Sequence, residues 1–548
     1  MKFLYYYVVM EKQFLRKPSA MIRFILLLIL ALALTGCPNG SDLDCQQGCT
    51  CNICEPGFPT YIQRVIFTEN TAIVTFDNLI NNDIFLVKVN TSNFVVPAAN
   101  TGHVLNVASA MQDFQTLNAL ESNEKEVQYT RGHPLIQKFN ADPPPFNSAK
   151  RRGLTTCFVP PQVGDTRYFW VETFFTSGSW EQRRATLMAT GEHSNIWVMD
   201  YNSREVTLER AQQLASQFDL IYPLTTNIFG YEFGGGLGGN GGMDGDPKIQ
   251  ILVYDILNAA GQFAANGFFW AKDFFTQEEL NASGWNVKTN LAEIFYINSI
   301  TVIDNPAFSY SVLIHELQHM IHWNEKTVIR GVNSAAWYNE MLSLMAEDII
   351  APMIGVPTTD RGHPLQNDLP WFLLSYFEEG FTEWHQTAVS YATKYAFGAF
   401  LLRNFGGADL ARRIIQNNTT NIPSLTAALQ ETSGVTFEQA LRHFGEAMVF
   451  SGAAMPQGVK TFDRTYTSTV NGISYTAYGF DIWNMYRRNT TTKGPMVFDV
   501  SPRAMRPHSV LLHQDDTWRN RSGSISITME RPVNQSVEFY LMVREGVF

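Results

Sequence analysis

Charge is scarce in this chain: only 17% of its 548 residues are Asp, Glu, Lys or Arg, while 45% are hydrophobic and 13% aromatic. That balance excludes a disordered, collagen-like or coiled-coil protein and leaves a globular one able to bury a sizeable core. Basic residues are in deficit, 40 against 51 acidic ones for a net charge of −11. The chain therefore lacks the basic footprint that nucleic-acid binding requires, and polyanionic partners are disfavoured. Long apolar runs are missing too. The longest, Phe24 to Leu34, has eleven residues, short of the roughly 20 needed to cross a bilayer as a helix. What remains is length, enough for two or three domains at about 100–200 residues each.

The Phe24–Leu34 run follows Arg16, Lys17 and Arg23 and ends in Leu34-Thr35-Gly36-Cys37. A basic flank, a short apolar stretch and small residues make a secretory signal over residues 1–36, with Met21 a rival start. Its end resembles the lipobox of bacterial lipoproteins, which implies cleavage before Cys37 and acylation of that cysteine. The expected location is the bacterial cell envelope, exported and held to a membrane by lipid at Cys37. Residues 1–36 carry five basic residues and one acidic residue, so the remainder sets 35 against 50, or −15. Lipid chains, not attraction to anionic headgroups, would hold such a protein to a membrane.

Only six cysteines occur. Cys45, Cys49, Cys51 and Cys54 crowd into ten residues within the tether 37–60. In an exported chain they are expected to form disulfides; a four-thiolate zinc knot is the competing reading, against which stands spacing unlike the paired C-x2-C pattern. Cys157 is expected to be a free buried thiol.

From Tyr61 to Asp165, short β-type runs separated by Asn- and Asp-rich turns suggest a small β-sandwich. Residues 166–457 alternate strands with strong helices, including Ala388–Phe405, Leu410–Gln416 and a stretch opening with a Thr436/Gln439 capping box. Residues 458–548 return to β texture as a separate C-terminal domain. The glycine-rich stretch 234–242 lacks the P-loop lysine and a preceding strand, so it reads as a surface loop. Asp244-Gly245-Asp246 offers a place for Ca2+, but two carboxylates fall short of the about six to eight oxygens that ion takes.

Within the middle region an apolar helix carries His315-Glu316-Leu317-Gln318-His319. Residues four apart lie about 40° apart around a helix and one turn along it, so both imidazoles can reach one zinc ion with Glu316 projecting beside it. Glu340 follows His319 by 21 residues, in an otherwise apolar helical stretch, and completes a His2Glu set. His322 is a rival third ligand, but it lies about 10 Å along the axis from His315.

His315-Glu316-x-x-His319 with Asn339-Glu340-x-x-Ser343 resembles the gluzincin zinc metallopeptidases, and the form His-Glu-Leu-Gln-His-Met-Ile most resembles their hyicolysin-type family. The resemblance covers residues 190–455. It implies an α+β fold: a zincin-like peptidase domain of strands plus the motif helix and a mainly helical second lobe, here flanked by small β-rich N- and C-terminal domains. It implies one zinc held by His315, His319 and Glu340. Glu316 would then be the general base that takes the water proton and later hands it to the leaving amine, acting on protein or peptide substrates. Thermolysin-like relatives place an Asp four residues after the ligand Glu; Leu344 stands there, and Glu347, within about 20° of Glu340 around the helix, is the expected substitute as a partner for a ligand histidine. Tyr395, in Tyr395-Ala396-Phe397-Gly398, is the candidate oxyanion donor, with Tyr391, His385 and His363 competing. Substrate would lie extended along an edge strand, with Gly261–Trp270 as an aromatic rim. A zinc-dependent endopeptidase is the expected function. The competing readings are an inactive surface adhesin or structural lipoprotein on a peptidase-like fold, and an aminopeptidase, for which a Gly-x-Met-Glu-Asn-type segment is missing.

Overall fold

In the computed structural model, strand β1 (Tyr61–Arg64) pairs with β15 (Val537–Glu545), across nearly the whole chain. The structure describes residues 61–77, 79–105, 133–147, 158–200, 205–236, 239–453, 458–532 and 536–545. The expectations for the signal, Cys37, Cys45, Cys49, Cys51, Cys54 and Cys157 fall outside them.

The remaining end strands are β2 (Thr71–Asp77), β3 (Asn82–Asn90), β4 (His103–Val104), β13 (Ser509–His513) and β14 (Ser524–Glu530). They form one sheet of order β1-β15-β3-β13 and a second of order β2-β14-β4. Strict alternation in β2 buries Ala72, Val74 and Phe76, and these sit opposite Met529, Ile527 and Ile525 of β14, so both strands turn one apolar face to the core. Strands from the β-rich regions expected at 61–165 and 458–548 pair with one another, β1 and β3 with β15, β3 with β13 and β2 with β14. The described residues belong to one compact unit.

The sheet of the middle region has order β5-β6-β7-β8-β10-β9, formed by β5 (Thr166–Glu172), β6 (Trp180–Thr190), β7 (Ser194–Met199), β8 (Ile249–Tyr254), β9 (Gly267–Phe269) and β10 (Ile294–Asn298). β7, β8 and β10 run parallel and every residue in them is buried, as parallel strands covered on both faces should be. β9 runs antiparallel to β10 and forms an edge.

Helices follow in chain order: α1 (Pro134–Ala141), α2 (Leu208–Phe229), α3 (Gln277–Ala282), α4 (Ser299–Asp304), α5 (Pro306–His322) and α6 (Ala336–Ile350). Then come α7 (Pro364–Asn367), α8 (Leu369–Ser375), α9 (Ala388–Phe405), α10 (Gly407–Gln416), α11 (Asn421–Ser433) and α12 (Phe437–Phe450). The capping box before α12 forms as read, Thr436 Oγ1 accepting from the Gln439 N–H at 3.2 Å and Gln439 Oε1 from the Thr436 N–H at 2.7 Å. α12 lies against β3, and a Cβ at Gly445 would stand 2.9 Å from Val87 Cγ1, so this residue lets helix and sheet approach. None of the helices in the described residues is long and apolar enough to cross a membrane.

Candidate metal centre

The chain leaves β10 through Asn298, whose side chain donates to the carbonyls of Ile256 and Ala265 and accepts from the Ile300 N–H, pinning the sheet to α4. Asn305 then caps α5, accepting from the Phe308 N–H, with Pro306 in the first turn where its missing N–H costs nothing. α5 is buried on nearly all sides and continues into a π-helical segment, Trp323–Ile329, a geometry found disproportionately at functional sites.

His315 and His319 lie one turn apart on α5, with ring centroids 4.6 Å apart. α6 packs beside α5 and delivers Glu340, whose Oε2 stands 3.2 Å from Nε2 of His315 and 3.5 Å from Nε2 of His319. One atom from each of the three lies within 4.8 Å of the others, the one His/Cys/Asp/Glu group so gathered among the described residues. The ring nitrogens facing away are held from outside. Nδ1 of His315 donates to Glu347 Oε1 at 2.7 Å, and Nδ1 of His319 is 3.1 Å from Asn339 Oδ1 and 3.0 Å from Ser343 Oγ, which itself donates to Gln318. These partners orient both Nε2 atoms toward Glu340. Asn339, next to Glu340, and Ser343, about one turn beyond it, are motif residues to which the sequence alone assigns no role.

Burial alone would depress His315, but hydrogen bonds to Glu340 and Glu347 and the charges of Glu347 and Glu316 hold it well above the usual imidazole range. Burial alone would raise Glu340; the His319 charge and bonds to both histidines bring it down to about 2. The trio thus favours positive charge between its inward-facing atoms. Burial pushes the Glu316 carboxyl up, with His315 and His319 pulling it part of the way back. It is 5% exposed and its Oε2 has no hydrogen-bond partner.

His315 and Glu316 sit where two parts of a cleft meet. The larger, about 760 Å³, is also lined by α1, β9, His319, His322, Trp323 and Tyr391. The smaller, about 450 Å³, is walled by Phe308, Val312 and Leu344 with Glu347 and Asp368. Gly267 of β9 borders both, and a Cβ there would stand 2.7 Å from Val312 Cγ1, so glycine lets the sheet edge lie against α5.

His322 is not gathered with the trio. Its Nε2 bonds Ser334 Oγ at 2.9 Å, and burial, with Lys326 and His319 nearby, keeps it well below the ordinary imidazole value. The expected oxyanion donor is Tyr395. It is buried away from the cleft, donating to Asp348 Oδ1 at 2.9 Å, where Arg403 also pairs at 2.6 Å. A buried carboxylate draws every available donor. One turn earlier on α9, Tyr391 lines the cleft with its ring 6.4 Å from that of His315. His363 is buried beside Asp348, and His385 stands at the surface near Glu383. The suggested Ca2+ position gains no ligands: Asp246 accepts from Asn195, Gln250 and the Lys248 N–H, while Asp244 accepts from the Asp246 N–H and faces Arg167.

Residues 181–482, which contain the trio, match the family model Peptidase M30. The chain is also 27% identical over 198 residues to the neutral metalloprotease ShpI of Staphylococcus hyicus, a stretch that is 34% of this chain and 40% of that protein's length. With more than half of its residues under the family model, and the histidine pair and glutamate inside the matched region, the chain belongs to the M30 family of peptidases.

Proposed function

We propose that this protein is a zinc-dependent endopeptidase of the gluzincin type. The observation that carries the reading is the convergence of His315, His319 and Glu340 beside a buried Glu316 oxygen that no protein group satisfies. Two imidazole nitrogens and one carboxylate oxygen, each histidine oriented from behind, form a donor set that fits zinc and leaves a coordination position for the reaction. Zinc bound there supplies a Lewis acid that polarises the scissile carbonyl and acidifies the attacking water. The rest falls to the chain. β9 is the edge strand of the sheet, and an extended peptide can lie along it at Gly267. Glu316, raised by burial and facing the cleft, takes the proton from water and delivers it to the departing amine, a transfer that a carboxyl tuned toward neutrality performs best. Tyr391 brings a phenol to the cleft where negative charge develops on the former carbonyl oxygen.

The test pairs metal analysis with turnover of a mixed short-peptide panel. We expect about one zinc per chain, hydrolysis abolished by a chelator, and a Glu316→Gln variant that retains the metal while losing roughly 10²- to 10⁴-fold in rate. Undiminished hydrolysis in that variant would remove Glu316 as the base; a chain that takes up no metal would remove the proposal.

A further inference from the structure

Helix α1 belongs to the region expected to form a separate sandwich and lies outside the residues matching the family model, yet it lines the cleft. In an antiparallel edge strand the N–H and C=O of alternate residues point outward. The Asn298 N–H bonds the Asn266 carbonyl at 2.8 Å, and Phe268 pairs with Tyr296, so Gly267 and Phe269 present the outward groups of β9. Asn140 of α1 occupies that row. Its Nδ2 donates to the Phe269 carbonyl at 3.0 Å, and its Oδ1 accepts from the Ala271 N–H at 2.9 Å. One side-chain amide thereby satisfies two backbone groups at the end of β9 that would otherwise be open to an added chain.

The same helix reaches the opposite wall. Gln137 Oε1 accepts from Trp384 Nε1 at 2.6 Å and from the Gln386 side chain. It is anchored below by Phe139, edge-on to Trp285 at 4.8 Å, and by Phe146, edge-on to Trp323 at 4.9 Å. At its start the buried His133 donates to Glu172 at 2.9 Å. α1 is therefore a crossbar from the sheet edge to the second lobe, standing at the Ala271 end of the cleft. In the other direction, past Gly267, the smaller part of the cleft continues.

We propose that α1 is a specificity device that closes one end of the substrate groove, so that this protein cleaves bonds near one end of a peptide and takes extended chain only on the other side. The proposal rests on the zinc-peptidase reading and narrows it from internal cleavage of any extended chain to bonds near one end of a peptide. The closed end lies close to the metal centre: the Phe269 N–H bonds Glu316, and the carbonyl of the same residue is already taken by Asn140. Peptide ends and short oligopeptides are the substrate class that fits, while the middle of a long unfolded chain cannot pass under the crossbar.

The test is a set of peptides with one cleavable core, lengthened a residue at a time from either end. Two readouts are taken: kcat/KM with the full chain, and affinity for metal-loaded Glu316→Gln, which needs no turnover. We expect both to fall at least tenfold once the chain is lengthened beyond a few residues on one side of the cleaved bond, and not on the other. A Gln137→Ala/Asn140→Ala variant, with Phe139 and Phe146 still anchoring the segment, should raise the long-to-short ratio at least tenfold. Affinity independent of length at both ends overturns the proposal, as does a variant that raises every length equally, the mark of a simple inhibitory strap. Length-dependent binding without hydrolysis by the wild-type chain would uphold the closed end and defeat the peptidase reading instead.

Discussion

Glu347 lies 2.7 Å from Nδ1 of His315, seven residues beyond the Glu340 that faces Nε2 of the same ring. Two carboxylates one pair of turns apart on α6 therefore grip one imidazole from both sides. This arrangement makes Glu347 an orienting group, and Glu347→Gln should weaken zinc affinity by about 10- to 100-fold while added zinc restores much of the turnover. Titration against a competing chelator checks it; an unchanged affinity would show that His315 needs no such support.

The two tyrosines of α9 should separate by phenotype. Tyr391→Phe is expected to lower kcat by about 10²-fold with little change in melting temperature. Tyr395→Phe strips a donor from the buried Asp348 carboxylate and should cost about 1–3 kcal/mol of stability with kcat preserved. Thermal unfolding and steady-state kinetics on both variants decide the matter, and a reversed pattern would restore Tyr395 to the chemistry.

His513, fully buried on β13, is lowered from 6.5 to about 3 by burial, with Lys88 adding repulsion. The unfolded chain binds a proton below pH 6.5 that the folded one refuses until about pH 3. Its contribution is thus fully present above pH 6.5 and lost as the pH falls toward 3, by at most a few kcal/mol. Urea unfolding between pH 4 and 7 should show stability rising with pH, with a shallower slope in His513→Leu; parallel slopes would assign the dependence to other groups.

The expectation of a lipid anchor rests on Leu34-Thr35-Gly36-Cys37 alone. Expressed in a bacterium with a fatty-acid probe, the chain should be labelled and Cys37→Ser should not. Persistent label in that variant would place any lipid elsewhere.

The motif residues needed no fold to be found. Helical periodicity places His315 over His319 and Glu347 over Glu340 whatever surrounds them, because an α-helix converts spacing directly into direction. For the same reason α9, α10 and α12 could be read nearly to their ends from apolar spacing and caps. Strand pairing has no such local rule. Alternation told which side of β2 is buried, but only the assembled chain joins β2 to β14 and β1 to β15, since a ladder can be completed by any segment of matching pattern however distant. The sequence favours Tyr395 over Tyr391, and only the tertiary structure shows Asp348 and Arg403 holding Tyr395 in the core. α1 carried no chemical signature at all. Its role arises because Asn140 and Gln137 meet a sheet edge and a second lobe more than a hundred residues away, and contacts of that range are set by packing rather than by spacing.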